Sequence, residues 1–388
     1  MKQTSGNEAS VNSPKWVIIS IVSFLLFCFC LTSLIFCYKA SLEARTEELP
    51  PPETISDVEI MSAFDTAISK EADFVCSELI ALPKHYWIPA DAEFPPKPDQ
   101  ACFGKATSPA DLQWLLDDAS TLLNGQSTLF SPETELMPGS EITYYLDETI
   151  MALTWKQVFD NFVYTISEIK ISDPSQLRRC IAGDTYGSSE LLTTSRMASS
   201  VNAVVASSGD FYMGRKHGIS VYDGVVYKAN HGKSVDTCFI GRNGDLIFAY
   251  RGEITDSESA QAFVDANDIS FSLSFGPILV DNFERCEPDD YLLGEVNRGY
   301  PRAAICQMDE LHYVLVAANW EMQYNSYPSI HTFASNIAAL GCEKAYALDG
   351  GQTAVIVMGD QVINDVQFHF ERKISDILYF ATAYPDSF

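Results

Sequence analysis

Residues 345–358 constrain the chain most: an apolar run, Ala345-Tyr346-Ala347-Leu348, is broken by Asp349-Gly350-Gly351 and resumes at Val355-Ile356-Val357-Met358. Such a pattern reads as strand, sharp turn, strand. Paired glycines beyond the carboxylate remove two side chains, so a ligand can approach Asp349 and the neighbouring backbone closely. A plain turn carrying a solvated Asp is the other reading of the same residues. Gly359-Asp360 follows, with Gly at the first central position of a two-residue hairpin.

The residues from 141 onward are rich in β-formers. Ile142 to Leu146 and Phe162 to Ile166 read as strands, and Asn202-Ala203-Val204-Val205-Ala206 reads as a buried strand running into Ser207-Ser208-Gly209-Asp210. Asp173-Pro174 predicts a short helix through Leu177 to Ile181, and Ser329 caps a second helix with Ile330, Phe333, Ile337 and Leu340 inward and Gly341 closing it. Interspersed helices among strands predict an α+β domain on a mixed β-sheet over 140–388. Before it, 57–135 reads as a small helical module: a helix over 57–82, a proline-rich loop, and a helix begun by Ser108-Pro109 that ends at Asn124-Gly125.

Residues 16–37 carry no charge and are long enough for a transmembrane helix, which needs ~20 apolar residues. We expect a short cytoplasmic tail over 1–15, a signal anchor over 16–38, a Pro/Glu-rich stalk over 39–56, and the bulk of the chain outside the cell membrane. The formal net charge of -27 argues against nucleic acid as a partner, because no broad basic surface is available to neutralise phosphates. Seven cysteines follow the span, their spacings match no zinc pattern, and no metal or other cofactor is expected. Cys76 with Cys102 is the pairing expected if any forms; full reduction is the alternative. No N-x-S/T acceptor occurs, which favours a bacterial source. P-loop, HExxH, GxSxG and dinucleotide fingerprints are also missing from the sequence. Oligomeric state has no signature.

Four stretches, in order, resemble the phosphodiester glycosidase family. Asn202-Ala203-Val204-Val205-Ala206-Ser207-Ser208-Gly209-Asp210-Phe211-Tyr212 is similar to its NAVxAxNGDFF pattern. Ser274-Phe275-Gly276-Pro277-Ile278-Leu279-Val280 is similar to SxGPxLV, Pro301-Arg302-Ala303-Ala304-Ile305 to PRTAI, and Leu348-Asp349-Gly350-Gly351 to LDGG. Together they span about 140–365. Ser208 stands where the family has Asn, Ala347 replaces an Asn, Gln352-Thr353-Ala354 replaces Gly-Ser-Ser, and 318–321 lacks the usual Asp-Gly-Arg.

The resemblance implies hydrolysis of sugar-1-phosphodiester linkages in glycoconjugates, with a carbohydrate phosphodiester as partner; the membrane is a partner expected from the apolar run of 16–37. The leaving phosphate monoester needs its charge neutralised more than it needs a proton. Arg302 suits that task, since a guanidinium binds phosphate oxygens bidentately. Asp210 and Asp349 are the expected carboxylates, as nucleophile, stabiliser of an oxocarbenium-like centre, or activator of water. Ser208, Gly209, Gly350, Gly351 and Thr353 are expected to line the substrate through hydroxyls and backbone N–H groups. Ion pairing for Arg302 and turn capping for Asp210 are the purely structural alternatives. A degenerate phosphoglycan-binding or surface-polymer assembly protein is the rival function.

Overall fold

A computed structural model describes residues 94–230, 235–286, 291, 298–319 and 327–383. The anchor, the stalk, the 57–82 helix and Cys76 lie outside the described residues. Cys102 is a free, half-buried thiol. No helix among the described residues is long and apolar enough to cross a membrane.

Among the described residues the domain is α+β and dominated by strands, in three sheets of nine, five and five strands. Where a mixed sheet is expected, every ladder between the described strands pairs antiparallel. At the centre of the nine-stranded sheet, Phe162–Ile171, His312–Asn319, Arg302–Asp309, Lys344–Leu348 and Ile278–Asp281 lie side by side. The described part of the 57–135 stretch joins this sheet: Phe103–Ala106 pairs with Ile142–Leu146, and Leu112, Leu115, Leu123 and Phe130 are buried in its core. The Ser108-Pro109 start and the left-handed Asn124 at the close hold, with the helix broken into Pro109–Leu112, Gln113–Asp118 and Ser120–Leu123.

Alternation along the central strands places side chains on two opposite cores. Ala304, Cys306, Val314, Val316, Ala345 and Ala347 face the helix Ile330–Ala338, which contributes Ile330, Phe333 and Ile337. Small alanines on the strands leave room for the helix. Ala303, Ile305, Leu315, Tyr346 and Leu348 face the other way, onto Val204, Val205, Ile356, Leu378, Phe380, Cys238 and Leu273 of the two five-stranded sheets. Helix Thr194–Ser200 packs through Met197 and Ala198 with Ala206, Val357 and Tyr379 of one smaller sheet; helix Ser257–Ala266 packs through Ala260 and Val264 with Val221 and Phe239 of the other.

Two local readings are settled here. Gly359-Asp360 joins Ile356–Met358 to Gln361–Val362 with Met358 opposite Gln361, and Gly359 has φ +58°, so the two-residue hairpin is present. The helix expected at 177–181 is instead a strand, Leu177–Ile181, paired with Asp376–Ala381. Asp173-Pro174 does start a helical turn, with Asp173 capping it, but that turn stops at Gln176. Sheet pairing then wins because every residue from Leu177 to Ile181 is buried, including two arginines whose side chains must find partners inside.

Candidate functional site

The strand Ala203–Ser208 ends at a corner where three strand ends meet. Asp349 N donates to Gly209 O (3.0 Å), and Gly351 N donates to Pro301 O (2.9 Å). The buried Ser208 Oγ donates to Asp349 O (2.8 Å). The turn after Leu348 does not fold back as a hairpin. It carries the chain from the nine-stranded sheet into the sheet containing Ile356–Met358. The backbones bearing Asp210, Arg302 and Asp349 are thus brought together, but their side chains part company.

Asp210 is wholly buried. Its Oδ1 accepts from Arg179 Nη2 (2.7 Å) and its Oδ2 from Ser274 N (2.9 Å). Arg179 also meets Asp376, through Nε (3.1 Å) and Nη2 (3.0 Å), and Nη1 donates to Ser272 O (2.5 Å). Burial alone would pull the Arg179 pKa down, but Asp210 and Asp376 outweigh it and hold the guanidinium charged. Burial raises the Asp376 pKa, with Arg179 opposing and Asp210 adding to the rise. Arg179 and Asp376 belong to one five-stranded sheet and Ser272 to the other, so this cluster fastens the two sheets behind the corner.

Asp349 sits at the front. It is 6% exposed, and its Oδ2 lies 3.0 Å from Nη2 of Arg372, whose side chain is 45% exposed. Burial pushes the Asp349 carboxyl up to about 6, against Arg372, the Thr353 hydroxyl and Arg215, which favour the carboxylate. Arg372 lies over the Phe211 ring (5.2 Å) and Arg215 over the Phe275 ring (3.8 Å). Arg302 points elsewhere: its Nη2 donates to Arg298 O (2.8 Å) and its guanidinium lies over Tyr300. The cation beside Asp349 is therefore Arg372.

The glycines divide as well. A Cβ on Gly209 would come 1.8 Å from Asp376 Oδ2, and one on Gly350 would come 2.6 Å from Pro301 O. Both are glycine because protein atoms press on them. Gly351 differs: it has φ +69° and only Gln367 Oε1 within reach, at 3.8 Å. Gly350→Ala is expected to cost about 1–3 kcal/mol through overpacking against an immovable backbone. Gly351→Asn, in open space and with a residue that tolerates left-handed backbone, is expected to unfold like wild type. Urea denaturation of the two variants checks this, and equal losses would contradict it. Thr353 Oγ1 donates to Gly350 O (2.7 Å) and stiffens the same turn.

Sequence reasoning missed Arg179, Asp376, Arg372 and Arg215. Arg179 had a signal: two arginines inside the apolar run Leu177-Arg178-Arg179-Cys180-Ile181 require buried partners. Arg372 and Arg215 sit in polar loops with no such pattern.

A strand-rich α+β domain thus holds a nearly buried carboxyl, Asp349, against the half-exposed guanidinium of Arg372 where strand ends converge. Residues 201–381 match the family model described as phosphodiester glycosidase. The SPbeta prophage-derived uncharacterized protein YomE of Bacillus subtilis is 25% identical over 206 residues, covering 52% of this chain and 31% of that protein. The chain thus spans about a third of the length of the curated relative it matches. Among solved structures, the catalytic domain of zebrafish N-acetylglucosamine-1-phosphodiester alpha-N-acetylglucosaminidase, auto-inhibited by its pro-peptide, aligns with TM-score 0.49 at 14% identity, covering 67% of this chain and 92% of that one. A hypothetical protein from Synechocystis aligns with TM-score 0.48 at 12% identity, covering 64% of each chain.

Proposed function

We propose that this chain hydrolyses sugar-1-phosphodiester linkages, with Asp349 as the proton-transferring carboxyl, and that residues 16–38 anchor it in a cell membrane with the domain outside. The observation that carries the reading is Asp349: a carboxyl shielded enough to sit near pH 6, placed against exposed Arg372 inside the stretch that matches the phosphodiester glycosidase family model. Attack of water on the anomeric carbon requires a proton acceptor. A group titrating slightly below neutral pH is strong enough as a base and largely ionised. The water proton passes to Asp349, the new bond forms between water oxygen and the anomeric carbon, and the bond to the phosphate oxygen breaks. The phosphate monoester leaves with the electron pair.

Arg372 links the two halves of this step. In the free protein it favours the ionised form of Asp349. When it turns to a bound phosphate, that support weakens and Asp349 becomes the stronger base. Arg302, whose Cα lies 3.7 Å from where a Gly350 Cβ would be, flanks the turn in this reading and does not touch the reacting atoms. Asp210 acts at a distance by holding the corner.

Turnover of an aryl sugar-1-phosphodiester by the full chain in detergent tests the reading. An acid limb near pH 6 in kcat/KM is expected, and it should move to higher pH in Arg372→Ala, because the opposing cation is gone. Arg372→Ala is expected to lose about 10²–10³ in kcat/KM, the usual cost of one electrostatic transition-state contact, whereas Arg302→Ala should lose less than about tenfold of the same. Binding of the diester without any turnover would favour the non-catalytic phosphoglycan-binding alternative.

A further inference from the structure

The turn that follows Asp210 carries Arg215 and Phe211, and a half-buried lysine holds it. We propose that Arg215 and Arg372 form a cradle for the phosphodiester oxygens, and that Lys228 is the positioning residue that fixes the 211–215 turn on which the cradle rests. The inference deepens the reading above and depends on it.

Three observations on geometry support it. First, each guanidinium is seated on an aromatic face, Arg372 over Phe211 and Arg215 over Phe275, and Arg215 Nη1 also donates to Phe275 O (2.7 Å). Both forks are thereby oriented before any ligand arrives, which lowers the cost of immobilising them on binding. Second, the turn is conformationally demanding. Phe211 has φ +58°, Gly214 N closes the turn onto Phe211 O (3.0 Å), and a Cβ on Gly214 would strike the Phe211 ring at 2.1 Å. A non-glycine residue in left-handed backbone persists only where its surroundings enforce it.

Third, Lys228 supplies that enforcement. It lies on the strand Val225–Asn230, and its Nζ donates to Tyr212 O (3.3 Å) and Arg215 O (3.0 Å), two carbonyls of the turn. Asp210 and Asp376 attract this ammonium, while Arg179 and Arg215 repel it. Burial is the largest influence and pulls it down to about 8. The charge that grips the two carbonyls is therefore present at neutral pH and lost as pH rises through about 8. A neutral amine keeps N–H donors but forfeits the charge-assisted strength of the bonds.

Dimethyl phosphate tests the proposal, since it contains the diester oxygens without a sugar and stays a monoanion throughout. Its affinity for the full chain in detergent would be measured from pH 7 to 9.5 by NMR titration. Wild type is expected to lose at least fivefold in affinity across that range, with a midpoint near 8. Lys228→Met should bind about tenfold more weakly at pH 7 and show no alkaline loss. Lys228→Arg, which stays charged, should recover most of the affinity and keep it to pH 9.5. If Lys228→Met fails to fold, the flat profile of Lys228→Arg against the sloping wild type decides. Wild-type-like affinity and slope in the folded variants would overturn the role of Lys228 and leave the proposed function standing. Wild type that takes up no dimethyl phosphate yet turns over the aryl sugar-1-phosphodiester would overturn the cradle alone, and a chain showing neither uptake nor turnover would overturn the phosphodiester reading with it.

Discussion

Asp349→Asn is expected to lower kcat/KM on a sugar-1-phosphodiester by about 10²–10⁴, the range over which a positioned acid or base contributes, without lowering the stability of the domain at pH 7. The second half follows from the direction of the pKa shift. The folded chain holds the Asp349 proton up to about pH 6, while an unfolded Asp releases it near its ordinary value of 3.8. Between those values the folded state binds more protons, so stability falls as pH rises through that window. At pH 7 the buried carboxylate is a burden of roughly 2–3 kcal/mol. Asn has nothing to ionise and escapes it. The lost attraction to Arg372 offsets little, because that side chain is 45% exposed and well solvated. Thermal unfolding and kinetics on the same preparations check the claim. A variant that loses activity together with its fold would mean that Asp349 holds the corner and does no chemistry.

Arg179→Met is expected to have the opposite profile, a large loss of stability. Removing the guanidinium leaves Asp210 and Asp376 facing each other in a wholly buried site. Breaking a buried ion pair from one side typically costs about 3–5 kcal/mol, because the remaining charge has neither partner nor water. The deficit should shrink toward pH 5, since Asp376, whose carboxyl burial already pushes up, can then take up a proton and become neutral. Adding Asp210→Asn to Arg179→Met should restore part of the loss at pH 7, as one of the two unpaired charges disappears. Urea unfolding at pH 5 and 7 for the three chains provides the measurement. An Arg179→Met chain within about 1 kcal/mol of wild type, the scale of an exposed pair, would show that the cluster does not fasten the sheets.

These two carboxylates show how far local sequence reaches. Asp210 and Asp349 each follow an apolar strand, each adjoins glycine, and each sits in a family-like motif. On those grounds they received the same role. Position in the fold separates them: Asp210 points back between two sheets onto Arg179, and Asp349 points forward beneath Arg372. Glycine was equally ambiguous. The pattern reads Gly350 as an opening for a ligand and Gly209 as a substrate-lining residue, but the space a Cβ would take is filled by the Pro301 carbonyl at one and by Asp376 at the other.

What the sequence determined by itself is whatever depends on neighbours a few residues away. Runs of β-forming residues marked Ile142–Leu146, Phe162 to Ile166 and Asn202 to Ala206 as strands; Ser329 and Gly341 bounded the helix Ile330–Ala338; Gly359-Asp360 set the hairpin. Backbone sterics and periodicity act over such distances, so the signal is complete in the local chain. Tertiary structure decided the rest. It turned Leu177–Ile181 into a strand because Asp376–Ala381, nearly 200 residues on, offered a ladder and a carboxylate for Arg179. It likewise brought Arg372 and Arg215 to Asp349 from loops with no periodicity to read. Charge and desolvation act through space, and only the folded chain fixes which distant side chain meets a given carboxylate and how much water remains beside it.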